Sequence, residues 1–377
     1  MRRSVAVSRC ALLRQDAANI HPRGGLKEIR TPNSEIRKKI EGRNPSAESR
    51  TSRNRAWLIR SSDFGLLSRF GLRISDLSRI RFRSWLAGGG SLRQPCHVNG
   101  ENFSEAALVV LGHGTMQNDS SAAPVYQHAA ELRRRKIFAA VREAFWKQEP
   151  QIKKVLPEIS APRVFIVPLF ISEGYFSDEV IPRELGFPPN SHLRTPNSEL
   201  FYCLPVGSHD SMTQVLLARA GEIVEKFPFP RAPKPKDITL FIAGHGTEKN
   251  ANSRKAIERQ VELIRAMNLY AGVHVIFMEE SPRIADCYQL APTKNLVVVP
   301  FFISDGLHTQ EDIPVLLGEA KRAVEQRLAA GQPAWRNPTE KNGKLVWYSP
   351  AVGSEPHMAD VILERVREAC RSRGDET

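Results

Sequence analysis

"ITLFIAGHGT" (residues 238–247) and "AALVVLGHGT" (106–115) follow one plan: an apolar run, then a Gly-His-Gly turn. The run does not alternate polar with apolar, so it reads as a strand buried on both faces. Such strands belong to parallel sheets covered by helices on both sides. Anchored on His113 and His245, the two stretches extend outward in register. Phe145 and Phe277 both lie 32 residues on, Pro150 and Pro282 lie 37 on, Pro168 and Pro300 lie 55 on, and Pro182 and Pro314 lie 69 on. Fixed spacing over that length is an internal duplication.

The second copy predicts strands near 238–243, 272–278, 295–302 and 345–349. Helices are predicted near 252–267, 282–290, 312–328 and 357–372. Strand–helix alternation implies an α/β fold: two similar flavodoxin-like, three-layer domains with parallel sheets. "PFPRAPKPKD" (228–237) reads as a proline-rich linker between them. The expected organisation is a basic extension over 1–103, a first repeat over 104–229 and a second over 230–377. Later in each copy "CLPVGSHDSM" (203–212) answers "YSPAVGSEPHM" (348–358), but the spacing drifts. The drift is assigned to an inserted surface loop at "RTPNSE" (194–199) and to the loop "NPTEKNG" (337–343).

The net charge of +13 over 377 residues is unevenly placed. Residues 1–100 hold 21 Lys and Arg against 7 Asp and Glu, and the remainder holds 33 against 34. The repeats are therefore nearly neutral and make no electrostatic case for nucleic acid. The basic segment has three readings: a nucleic-acid or membrane tail, an Arg-rich targeting peptide, or an over-long reading frame with its start near Val98. "RTPNSE" occurs at 30–35 as well as at 194–199, a polar repeat that favours disorder without function. No apolar run reaches the roughly 18–20 residues of a membrane span. The five cysteines are dispersed with no CxxC spacing, which fits reduced thiols and a cytoplasmic location.

In α/β sheets of this kind, ligands bind at the carboxyl ends of the strands. There the second copy places His245, Glu279 and His308. The aligned residues of the first copy are His113, Lys147 and Phe176. Two imidazoles and a carboxylate suit a borderline divalent metal such as cobalt, iron, nickel or zinc. They also suit proton transfer near neutral pH. Lysine and phenylalanine suit neither in the same way, so one half reads as active and the other as a wall of the site. Glu280 competes with Glu279 for the acidic role, Glu279 being preferred. His113 has a second reading as a turn residue. His274 reads as packing, and His128, His209 and His357 read as surface or helix residues.

Strand-GHGT, "VVVPFFISDGLHTQEDIP" (297–314) and "VWYSPAVGSEPHM" (346–358) resemble the sirohydrochlorin chelatases of the CbiX/SirB type. The resemblance covers residues 104–372 and omits the basic segment. It implies two flavodoxin-like halves with a tetrapyrrole bound between them. It also implies ATP-independent insertion of a divalent metal into sirohydrochlorin, cobalt first, with iron and nickel as alternatives. By motif match, His245 and His308 take the catalytic and metal-handling positions and Glu279 the acidic partner. His113, Phe176, Lys249, Arg254 and Lys255 are the candidates for holding the substrate and its peripheral carboxylates. Several long members carry the complete histidine pair in the first half, whereas here it lies in the second. No GxxxxGK[ST] loop is present, which agrees with a reaction needing no nucleotide. A duplicated chain can complete its own site as a monomer, with no membrane or nucleic-acid partner. The competing functions are a non-catalytic tetrapyrrole carrier or metal chaperone on a decayed chelatase and, on weaker grounds, a flavodoxin-like nucleotide binder.

Overall fold

The structure is a computed structural model, and it describes residues 102–114, 121–187, 193–247 and 251–374. The expectations for residues 1–101 lie outside them. Phe103, which falls at the end of the expected extension, is buried in the core against Phe138 and Phe165.

Each half contributes one five-stranded sheet. The first contains β1 (Ala106–Gly112), β2 (Ala140–Phe145), β3 (Arg163–Pro168), β4 (Leu193–Arg194) and β5 (Glu199–Tyr202), in the order β2-β1-β3-β5-β4. The second contains β6 (Ile238–Gly244), β7 (Gly272–Phe277), β8 (Asn295–Pro300), β9 (Thr339–Lys341) and β10 (Lys344–Tyr348), in the order β7-β6-β8-β10-β9. In each sheet four strands run parallel and the last-placed edge strand is antiparallel. The central strands β1 and β6 are buried at every residue, as their unbroken apolar runs require.

Five longer helices accompany the sheets: α1 (Ala123–Arg135), α2 (Met212–Lys226), α3 (Ala251–Ala266), α4 (Lys321–Ala329) and α5 (Met358–Gly374). Among the described residues, no helix is long and apolar enough to cross a membrane.

The spacing drift has a different origin from the one expected. "RTPNSE" is not a loop insertion: Arg194 ends β4, Glu199 opens β5, and Thr195 N–H donates to Ser198 O across the turn at 2.8 Å. "NPTEKNG" contains β9 and the turn into β10, where Asn342 and Gly343 take the positive φ angles, 49° and 70°, that a tight hairpin demands. The extra length lies in α4, which has no counterpart among the described residues of the first half. The helix expected over 312–328 is accordingly broken. Gly318, at φ +97°, turns the chain between a short helical segment (Ile313–Leu316) and α4. The stretch expected as a helix near 282–290 forms only a 3₁₀ turn (Ile284–Asp286) and one α turn (Cys287–Leu290).

The two halves share their inner helical layer. One apolar core joins the inward faces of α1, α2, α3 and α5 to one face of each sheet, while separate clusters cover the outer faces. Moreover, the last helix of each half crosses over. Helix α2 packs on β8 and β10 of the second sheet, and α5 packs on β3 of the first. Two buried arginines hold the crossing. Arg219 of α2 donates to Ala351 O and Ser354 Oγ, and Arg365 of α5 donates to Pro205 O and Ser208 Oγ. Both receptors are Val-Gly-Ser turns of the opposite half, Val206–Ser208 after β5 and Val352–Ser354 after β10. His128 of α1 is buried and reaches Gly353 O at 2.6 Å, while its counterpart Gln260 of α3 donates to His209 O at 3.0 Å. The expected surface or helix residue His128 is thus a helix residue at the interface.

Burial holds the His128 imidazole below its ordinary value. Its folded-state pKa lies below the unfolded one, so its stabilising contribution is present above about pH 6.5 and is lost as the pH falls. His128→Gln, which supplies the amide that Gln260 already uses, is expected to flatten the fall in urea-unfolding stability between pH 7 and 5. His209, also lowered by burial, retains part of the slope.

Gly353 marks the closest approach in the second half: a Cβ there would lie 1.7 Å from Ile303 O, on the segment leading to His308. Gly207 is the matching point of the first half, 1.9 Å from Ile171 O. Gly353→Ala and Gly207→Ala are each expected to cost about 2–4 kcal/mol in urea unfolding.

Candidate metal-handling site

The carboxyl ends of β6, β7 and β8 form one rim. His245 follows β6 in a turn that Gly246 permits by adopting φ +72°. The Met278 and Glu279 N–H groups each donate to His245 O at 3.1 Å, which ties the end of β7 to that of β6. The segment after β8 runs through Gly306 into a wide π-type turn over His308–Asp312, in which Ile313 N–H donates to His308 O. Thr309 Oγ1 fastens this turn by accepting from Gly306 N–H at 3.0 Å and donating to Gly306 O at 3.1 Å. From β10, Tyr348 Oη donates to Thr309 O at 2.6 Å.

This framework brings His245 and His308 together, their rings edge to face with centroids 5.0 Å apart. His245 Nδ1 donates to Gly246 O at 3.0 Å, and a carbonyl can only accept. His308 Nδ1 lies 2.7 Å from Asp312 Oδ2, where a carboxylate likewise accepts. Both imidazoles are therefore held as the Nδ1–H tautomer when neutral, and each keeps its Nε2 lone pair for a ligand. The rings are half-exposed, so an arriving ion can reach them.

Glu279 is also at the rim, 60% exposed, with Oε2 3.7 Å from His245 Nδ1. That is the anchored side of the ring, not the side of the free lone pair. Among the described residues, no group of three or more His, Cys, Asp or Glu is gathered tightly enough to hold a metal. The pair can thus present two nitrogen ligands, and Glu279 can take or give a proton beside them. Glu280, the competing carboxylate, is engaged elsewhere. Arg254 donates to its Oε2 from Nε at 3.0 Å and from Nη2 at 2.6 Å.

Of the expected cationic substrate contacts, Arg254 is committed to Glu280, Glu258 and Ser281 O and lies over the Phe277 ring. The Glu280 hydrogen bond raises its pKa further above the ordinary arginine value. Lys255 is exposed on α3. Lys249 lies outside the described residues. His113 repeats the backbone anchoring of His245, with Nδ1 donating to Gly114 O at 2.9 Å, but its neighbours are the aromatic rings of Trp146 and Phe176. His274, read as packing, lies in β7 and stacks on Phe241.

Sequence reasoning assigned no role to Asp312, Tyr348 or Trp146. Asp312 had a signal, since it lies four residues beyond His308 on a helical turn. Its counterpart in the first half is Val180, four residues beyond Phe176. Tyr202, the counterpart of Tyr348, has a buried hydroxyl without a partner.

A duplicated α/β fold with one histidine pair at a strand rim defines the class, and comparison with known proteins gives the family. The sequence model of the CbiX family matches residues 107–223 and again 239–369, and the chain belongs to that family. It is 41% identical over 285 residues to a probable sirohydrochlorin cobaltochelatase of Halobacterium salinarum, a match spanning 71% of this chain and 93% of that one. Among solved structures, a multi-domain Deinococcus radiodurans protein described as structurally similar to chelatases aligns with TM-score 0.57 at 25% identity. That match covers 71% of this chain and about half (55%) of that longer one. SirB from Bacillus subtilis, solved with Fe³⁺, shares the fold with TM-score 0.53 at 18% identity, over 71% of this chain and 97% of SirB.

Asp312→Asn tests the anchoring of His308. It keeps the shape but removes the charge that fixes the tautomer. Co²⁺ affinity, measured by titration, is expected to fall about 10–100-fold with the fold intact by circular dichroism.

Proposed function

We propose that the protein is a chelatase that inserts a divalent metal, Co²⁺ in the first instance, into sirohydrochlorin without ATP. The observation that carries this reading is the pair His245 and His308, each anchored through Nδ1 and each keeping Nε2 available. Family membership and the name carried by the Halobacterium relative support the substrate and the reaction class. Fe²⁺ and Ni²⁺ are the alternative metals, since imidazole ligands rank metals by affinity and leave selection to supply and geometry.

The metal is a substrate here, delivered to the macrocycle and not retained. Insertion requires the ion to shed water and two pyrrole N–H groups to lose protons. Two neutral imidazoles hold an ion firmly enough to replace part of its water shell. A third protein ligand would strengthen binding and slow release. Glu279, exposed beside His245, accepts the pyrrole protons and passes them to solvent. Neither step consumes a nucleotide. The first repeat (104–229) supplies a wall without a metal pair, and the second (230–377) supplies the chemistry. Both halves are in one chain, so a monomer acting in the cytoplasm, without membrane or nucleic acid, is sufficient.

A carrier or metal chaperone is the second reading, favoured by the loss of the first-half histidine at Phe176. Anaerobic absorbance changes of sirohydrochlorin with Co²⁺, Fe²⁺ or Ni²⁺ separate the two. The chelatase reading expects insertion above the uncatalysed rate without ATP, reduced at least about 100-fold in His308→Ala. Tight tetrapyrrole binding with no acceleration by the wild type would establish the carrier instead.

A further inference from the structure

The first-half rim has changed at four corresponding positions. Where the second half has Met278, Glu279, His308 and Asp312, the first has Trp146, Lys147, Phe176 and Val180. Loss of function alone gives no reason for these replacements to pack on one another, yet Trp146, Lys147 and Phe176 do. The Trp146 and Phe176 ring centroids are 4.7 Å apart, and His113 meets their edges at 5.3 and 5.5 Å. The Lys147 ammonium lies 4.5 Å from the Trp146 centroid and 5.7 Å from that of Phe176. The group is open to solvent: Phe176 is 39% exposed and the adjoining Tyr175 is 60% exposed.

Lys147 also differs from its neighbours. Lys153 pairs with Glu184 and Lys154 with Glu149, whereas Lys147 has no carboxylate partner among the described residues. Its backbone N–H donates to His113 O at 2.9 Å, as Glu279 N–H donates to His245 O, so it occupies the same rim position with the opposite charge. The halves touch beside the carboxyl ends of their strands: His128 of α1 bonds to the turn after β10, and Gln260 of α3 bonds to the segment after β5.

We infer that Trp146, Phe176 and Lys147 form a macrocycle-docking subsite, in which the two rings, tilted 48° to one another, offer one face and one edge to a tetrapyrrole and Lys147 pairs with one of its peripheral carboxylates. This rests on the reading of the second half as a chelatase and gives the first half a separate role, holding the polyanionic ring while the histidine pair handles the cation. Exposed aromatic faces with a cation held over them fit a flat, electron-rich, carboxylate-bearing ligand. They do not fit a metal ion, which is what the second half recognises. Charge follows the same division, with Lys147 for the anionic ring and Glu279 beside the incoming cation.

The test titrates the full chain with metal-free sirohydrochlorin, and separately with Co²⁺ alone, in the wild type, Trp146→Leu and Lys147→Glu. Each variant is expected to weaken tetrapyrrole binding about tenfold and to leave the Co²⁺ titration unchanged. Lys147→Glu also lowers the salt dependence of binding. Lys147 is exposed, so this variant remains informative if Trp146→Leu fails to fold. Tetrapyrrole affinity equal to wild type in Lys147→Glu and in a folded Trp146→Leu overturns the inference. The insertion assay then separates the two proposals. Wild-type insertion with an unchanged KM in both variants removes the docking subsite alone. Binding that depends on Trp146 and Lys147, with no insertion by any form, removes the chelatase reading alone. Failure of the wild type to bind tetrapyrrole removes both.

Discussion

Everything else in this molecule depends on two buried arginines, each reaching from the last helix of one half into a Val-Gly-Ser turn of the other. A guanidinium removed from water is costly unless its donors are satisfied. Arg219 and Arg365 meet that requirement only when α2 and α5 lie across the opposite halves, where backbone carbonyls and serine hydroxyls accept from them. Each arginine also bonds to a carboxylate one turn further along its own helix, Glu222 or Glu368. The exchange thus makes one shared core from two similar sheets. Neither half can bury its inner face alone, because the helix that would cover it lies on its neighbour.

The same constraint reaches the site. Gly353 N–H donates to Phe302 O, and the lack of a side chain lets its turn rest on Ile303. Phe302 and Ile303 begin the segment that leads to His308. Asp305, further along it, accepts from Ala351 N–H at 2.9 Å. The turn that receives Arg219 therefore also positions the strand-end segment carrying the second histidine. Interface and site are mechanically one object, so the first half helps to position the histidine pair of the second although it has no such pair of its own.

Much of this was legible in the sequence. Non-alternating apolar runs identified the buried parallel strands, and constant spacing from the Gly-His-Gly turns exposed the duplication. The partners of His245 and His308 were half legible. Asp312 follows His308 by four residues and could be found by helical spacing, whereas Tyr348 reaches the same turn from a distant strand and leaves no local signal. The choice between Glu279 and Glu280 was open in the sequence because adjacent residues share every local property. Only the position of Arg254 separates them. The helix exchange was illegible for a similar reason: α2 and α5 have the amphipathic pattern of any core helix, and the pattern does not say which sheet they cover. The spacing drift misled because a repeated hexapeptide drew attention away from α4, whose break at Gly318 lies inside an otherwise continuous helical pattern.

The two Gly-His-Gly turns show which histidines carry information about function. His113 and His245 make the same bond, from Nδ1 to the carbonyl of the following glycine, although one stands among aromatic rings and the other beside a second imidazole. Backbone geometry is sufficient reason to keep a histidine there, so its presence says little about metal. His308 is different. Its turn survives in the first half without it, over Phe176–Val180, fastened by Ser177 to Gly174 as Thr309 fastens to Gly306. The fold therefore does not require an imidazole at that position. Where the imidazole is present, a carboxylate lies against its Nδ1 and a tyrosine braces the turn. Where it is absent, valine replaces the carboxylate and the tyrosine hydroxyl has no partner. Residues that are gained or lost as a set, on a turn that folds either way, answer to what the turn binds.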